Sequence, residues 1–158
     1  MKRQVVGLLI YLIAACIGGA SYSQTVLTVV STTSGAMTGL TMDQLMAMEQ
    51  VEIVTSNEFV DGDRTFRGPL ARDVLRLSHA EGAKIVTLTA ANDYQVEVNP
   101  AEFYDYDAIL ALSMDGNPLS KRDKGPIWMI YPMNDHAELH DPVYNSRLIW
   151  QLVKMEYR

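Results

Sequence analysis

The sequence has 158 residues, a length suited to one domain. Nineteen acidic residues outweigh thirteen basic ones, a formal net charge of −6, which argues against a nucleic-acid partner because phosphates demand a basic face. Cys16 is the single cysteine, so no disulfide can form within the chain.

The first residues read as an export signal rather than as fold. Lys2 and Arg3 make a short positive region, residues 5–20 form an uncharged and largely apolar run, and Ser21-Tyr22-Ser23 offers a small-x-small cleavage site. The run is short for a membrane span. The expectation is a Sec-type signal peptide over residues 1–23 and a periplasmic domain over residues 24–158. Ile13-Ala14-Ala15-Cys16 also resembles a lipobox, which makes a lipoprotein anchored through Cys16 the alternative, and an uncleaved anchor is a third possibility. Cleavage leaves eleven basic residues against nineteen acidic, a net charge of −8, with no cysteine and no second apolar segment long enough to span a membrane.

Residues 26–32 are β-branched and predict a first strand. Residues 33–39 predict a small-residue loop, and Thr41 a cap for a helix over 42–48 with Leu45 and Met46 turned inward. Residues 51–56 alternate as a strand, and Asp61-Gly62-Asp63 predicts a turn. Gly68 and Pro69 suit the start of a second helix, whose buried stripe is Leu70, Val74 and Leu77 and whose end is Gly82. Strands are expected over 84–90 and 94–98, flanking Asn92-Asp93, and a short turn or helix over 100–104. Residues 108–114 predict another strand, Asp115-Gly116 a hairpin turn, and 127–131 a continuous apolar strand at the centre of a sheet. Residues 134–142 predict a polar loop, and 148–157 a closing strand. The sum is a β-rich α+β domain with a mixed sheet and two main helices.

Lys121, Arg122 and Lys124 form the densest basic cluster, beside Gly125. An Arg fork flanked by lysines could hold a phosphate or carboxylate, with Gly125 letting the backbone approach it; a solvated loop with Asp123 pairing locally is the competing reading. Arg67, Arg72 and Arg147 could join such a site or serve as ordinary surface charge. Asn92, Asp93 and Tyr94 could face a ligand, or simply form a β-turn, where Asn and Asp are expected. His136 and His140 stand four apart among carboxylates, but Pro142 follows and the HExxH order is absent, so a polar loop is the stronger reading and no metal ligand is assigned. No Gly-x-Ser-x-Gly elbow is present. The nine methionines read as core filler.

Four segments in order resemble the sulfite-oxidase-type molybdopterin-binding domain of oxidoreductases. They are Phe66-Arg67-Gly68-Pro69-Leu70 with its helix start, Ala91-Asn92-Asp93-Tyr94, Ala111 through Asp115-Gly116-Asn117-Pro118-Leu119, and Lys124-Gly125-Pro126-Ile127 through Tyr131-Pro132. Ile149-Trp150-Gln151-Leu152 stands where the family has a Lys-Trp-Leu strand. The resemblance implies that fold in shortened form, a molybdopterin cofactor, and a cofactor-facing role for Arg67, Asn92, Asp93, Tyr94, Lys121, Arg122, Lys124 and Gly125.

The chain departs from the pattern at two points. The family's molybdenum-binding cysteine has no counterpart in the mature domain, and the His of its His-Gly turn is Lys124. Family enzymes leave the cytoplasm folded, through a twin-arginine signal, whereas a Sec substrate crosses unfolded. The function expected is therefore a non-catalytic periplasmic binding or sensory module for a small anionic ligand or a partner protein, such as a membrane sensor. An active molybdopterin-dependent oxidoreductase subunit is the alternative.

Overall fold

Residues 23–158 are described by a computed structural model, and the expected signal segment lies almost wholly outside them. Eleven strands fall into three sheets. The largest has the order β2-β1-β11-β5-β6, built from β1 (Thr25–Ser31), β2 (Met37–Thr41), β5 (Val86–Ala90), β6 (Gln95–Val98) and β11 (Leu152–Tyr157). It is mixed: β1 runs parallel to β11, while every other pairing is antiparallel. Leu27 and Val29 of β1 and Val86 and Leu88 of β5 are buried at period two, which fixes the register of these strands on the core; in β11 the buried residues are Leu152 and Met155, three apart because the pairing with β5 shifts register after Leu152.

The second sheet has the order β3-β4-β8-β9, from β3 (Val51–Asn57), β4 (Val60–Gly68), β8 (Ser113–Met114) and β9 (Asn117–Pro118). The third pairs β7 (Ile109–Ala111) with β10 (Trp128–Ile130), all six residues buried. Phe66 and Trp128 meet edge to face at 5.4 Å between ring centres, so the second and third sheets share one core.

Four short helices complete the fold: α1 (Met42–Ala47), α2 (Ala71–Leu77), α3 (Ala101–Asp105) and α4 (Pro142–Asn145). Thr41 caps α1 through a reciprocal box: its Oγ1 accepts from Gln44 N at 3.2 Å and its own N–H donates to Gln44 Oε1 at 2.8 Å. Among the described residues no helix is long and apolar enough to cross a membrane.

Several expectations are corrected. The loop expected over 33–39 holds the start of β2, because the open side of β1 pairs even a weak strand sequence. Met46 is 61 % exposed rather than buried, since α1 is too short to bury more than Leu45. The β3–β4 turn is Glu58-Phe59, not Asp61-Gly62-Asp63; those residues make a bulge in β4, with Gly62 at φ 67°.

Gly68 ends β4 rather than capping α2, and a Cβ there would land on the carbonyl of Leu110. Leu75, not Leu77, completes the buried face of α2, and His79 at φ 56°, not Gly82, turns the chain after it. The expected strand 108–114 changes partner at Leu112, passing from β10 to β4. The stretch 127–131 is central to the core but lies in a two-stranded sheet. The polar loop 134–142 contains a 3₁₀ turn, Ala137–His140, and leads into the short helix α4, which the sequence reading did not expect. Asp115-Gly116 is a hairpin turn as expected, with both residues at positive φ.

Candidate functional site

Two hollows flank the turn between β5 and β6 and the segment leading into β11, and a third lies nearby. The first encloses about 340 Å³ and is lined by Phe59, Ala90, Asn92, Tyr94 and residues 145–150 other than Arg147. No charged side chain lines it. Trp150 is held edge-on between Phe59, at 4.8 Å, and Trp128, at 6.5 Å, and remains 37 % exposed. The buried Trp128 Nε1 donates to Leu148 O at 3.0 Å, which anchors the segment carrying Trp150. From the facing turn, Tyr94 Oη reaches Ser146 O at 3.4 Å.

The second hollow, of about 280 Å³, is lined by Gln24, Thr25, Val26, Ala91, Lys121, Gly125, Pro126, Gln151 and Val153. Gln151 ties its edge together: Nε2 donates to the carbonyls of Lys121 at 2.9 Å and Asp123 at 3.1 Å, and its own carbonyl accepts from Ala91 N at 2.9 Å. Ala91 and Gln151 face this hollow while their neighbours Asn92 and Trp150 face the first, so two peptide steps form the partition. A third, polar hollow of about 320 Å³ lies past Asn145, lined also by Ser56, Asn57, Glu58, Met133 and His140.

The expected site residues are divided among these places. Asn92 and Tyr94 line the first hollow, Lys121 and Gly125 the second. Asp93 lines neither; at φ 65° it makes the turn, its N–H donating to Ala90 O at 3.0 Å. Arg122 is exposed on the loop. Lys124 is engaged within the protein, its ammonium 3.2 Å from Asp123 and 5.4 Å from the centre of the Trp128 ring. Gly125 is buried, and a Cβ there would collide with the Leu119 carbonyl, so packing already demands glycine. Arg67 is exposed on β4, opposite Glu52 and Ser113, and lines none of the three hollows. Arg72 pairs with Asp107, and Arg147 with Glu102.

That last pair sits in a cluster which sequence reasoning missed. Arg147 Nε lies 2.8 Å from Glu102 Oε2 but is not aimed along that line, so the attraction is between charges rather than a hydrogen bond. Tyr131 Oη donates to the same carboxylate at 3.4 Å, and the Arg147 guanidinium covers the Tyr144 ring at 4.9 Å. Burial raises the Glu102 carboxyl above its ordinary range, against the lowering pull of Arg147 and Tyr131. Burial, with the nearby Glu102 charge, also pushes the Tyr131 phenol well up. Phe59, Asn145 and Trp150 were likewise not picked out as site residues. An aromatic residue at a hairpin tip and a tryptophan just before the last strand were the available signals.

Among the described residues no three His, Cys, Asp or Glu side chains converge as a metal site. His136 packs edge-on against Tyr106 at 5.0 Å and lies 3.8 Å from Glu138, while His140 is exposed.

Comparison with known proteins identifies the architecture. The sequence matches the oxidoreductase molybdopterin binding domain over residues 20–134, and the chain belongs to that family. The fold is similar to that of the sulfane dehydrogenase SoxCD from Paracoccus pantotrophus, with a TM-score of 0.62 at 10 % identity. The superposition covers 87 % of this chain but only 39 % of that one, so the chain spans well under half the length of its structural relative. No curated protein matches at significant similarity.

The first hollow does not fit the family's cofactor at either end. Molybdopterin carries a metal-binding dithiolene and a terminal phosphate. The only sulfur able to replace the family's thiolate is Cys16, outside the described residues, and the first hollow has no cation to meet a phosphate.

Proposed function

We propose that this family member is an exported, non-catalytic binding or sensory module of the periplasm. It has kept the domain and lost the metal chemistry. The observation that carries this reading is the donor set: the uncharged lining of the first hollow in a domain without a cysteine. The basic loop is its anion-binding face. Lys121 at the second hollow and the exposed Arg122 receive a small anion, with a partner protein of the cell envelope reading the bound state. The apolar run at residues 5–20 supports export.

Family membership supports a second reading, an active molybdopterin-dependent oxidoreductase subunit. Molybdenum analysis and visible absorption of protein purified from its own periplasm separate the two. Colourless, metal-free protein is expected; stoichiometric molybdenum with a pterin overturns the binding-module reading.

A further inference from the structure

We infer that the first hollow is a separate site for a small, uncharged planar ring carrying an amide-like edge, and that it discriminates against the same ring bearing a negative charge. The inference rests on the binding-module reading only in requiring that molybdopterin does not fill the hollow.

Three features point to this ligand class. The first is the aromatic surface. Trp150 at 37 % exposed and Tyr94 at 46 % come from different segments, and Trp150 is clamped between Phe59 and Trp128. A tryptophan fixed in orientation and left partly in water is pre-organised for a flat partner, because its own ordering cost is already met in the free protein.

The second is the set of polar groups. Asn92 Oδ1 accepts from Tyr94 N at 3.2 Å, which fixes the amide and leaves its NH₂ as donor. The Asn145 side chain makes no hydrogen bond with another described residue, so both its donor and its acceptor are available. Two primary amides beside aromatic walls complement a lactam or carboxamide edge, which presents one donor and one acceptor.

The third is charge. The nearest cations are engaged or lie elsewhere: Arg147 with Glu102, Lys124 with Asp123 and Trp128, and Lys121 across the partition. A phosphate or carboxylate entering the first hollow would lose water without gaining a partner.

The test uses the mature protein and three probes: hypoxanthine as the neutral bicyclic lactam, and inosine with inosine 5′-monophosphate as a pair that differs only by the phosphate. Binding is read by calorimetry and by quenching of tryptophan emission. Hypoxanthine and inosine are expected to bind saturably and inosine monophosphate at least about tenfold more weakly than inosine, a difference of roughly 1.4 kcal/mol. The double substitution Asn92→Ala with Asn145→Ala, and separately Trp150→Ala, should each weaken hypoxanthine binding by about tenfold or more. The asparagine pair lies at the rim, so that variant keeps the test valid should Trp150→Ala fail to fold.

Tighter binding of the phosphorylated probe overturns the inference, as do no saturable binding of hypoxanthine and binding indifferent to both variants. None of these outcomes depends on molybdenum content. Stoichiometric molybdenum with unaltered hypoxanthine preference would instead remove the non-catalytic reading alone.

Discussion

Arg147 and Glu102 face each other across 2.8 Å, pinning the helix α3 to the turn that leads into the wall of the first hollow. Both side chains are largely shielded from solvent. Removing the cation leaves a buried carboxylate uncompensated, which usually costs several kcal/mol. Arg147→Ala is expected to destabilise the protein by roughly 3 kcal/mol in urea unfolding. Glu102→Leu combined with Arg147→Met should come within about 1 kcal/mol of wild type, because no lone charge remains.

The same carboxyl sets a pH dependence with a defined sign. Its folded value is raised above the ordinary 4.5, so the folded state holds the proton more tightly than the unfolded chain does. The stability this contributes is fully present below about pH 4.5 and is lost as pH rises through the folded value. Relative to a Glu102→Gln variant, wild-type stability should therefore fall across that interval. A parallel pH series of chemical melts on the two proteins checks it.

Tyr131 gives the alkaline counterpart. Its buried phenol is raised well above 10, so the folded state resists ionisation. Stability should fall as pH rises above 10, and Tyr131→Phe should flatten that fall. The absorbance change of tyrosinate on unfolding reports the same event.

Gly125→Ala separates packing from ligand approach. A methyl group at this position meets the Leu119 carbonyl, so the backbone must move. A loss of roughly 3 kcal/mol is expected with no ligand present, at the upper end of overpacking costs. An unchanged melting curve would show that the loop yields easily.

Within the basic loop, Arg122 and Lys124 should differ. Arg122 is exposed, and its alanine variant should stay within about 0.5 kcal/mol of wild type while weakening phosphate binding. Lys124→Ala should cost roughly 1 kcal/mol, because its ammonium lies over Trp128 and beside Asp123. Calorimetric phosphate titration together with thermal melts resolves the two roles.

Much of the fold is legible in the residues. The alternation of β3, the Thr41 capping box and the Asp115-Gly116 turn are local devices, and each forms where its pattern stands. The misreadings share one cause, which is that partners decide. Leu112 lies in an unbroken apolar run, and nothing local marks it as the point where the chain leaves β10 for β4. Met37–Thr41 is a strand because β1 offers it an edge.

The site was less legible for the same reason. Asn92 and Lys121 are recognisable singly, but only the packing of Gln151 places them on opposite sides of a partition. Glu102 and Arg147 are far apart in the chain and carry no mutual signal until α3 and α4 fold.

The parallel pairing of Thr28 with Lys154 has a kinetic consequence. The strand that joins β1 to β5 is made of residues 152–157, so the largest sheet has no middle until the ribosome has delivered them. A nascent chain short of that point presents two unpaired strand edges and cannot close. Because the contact is so distant in sequence, closure is slow even once the strand exists. A polypeptide of this topology keeps its largest sheet unclosed for as long as residues 152–157 are withheld.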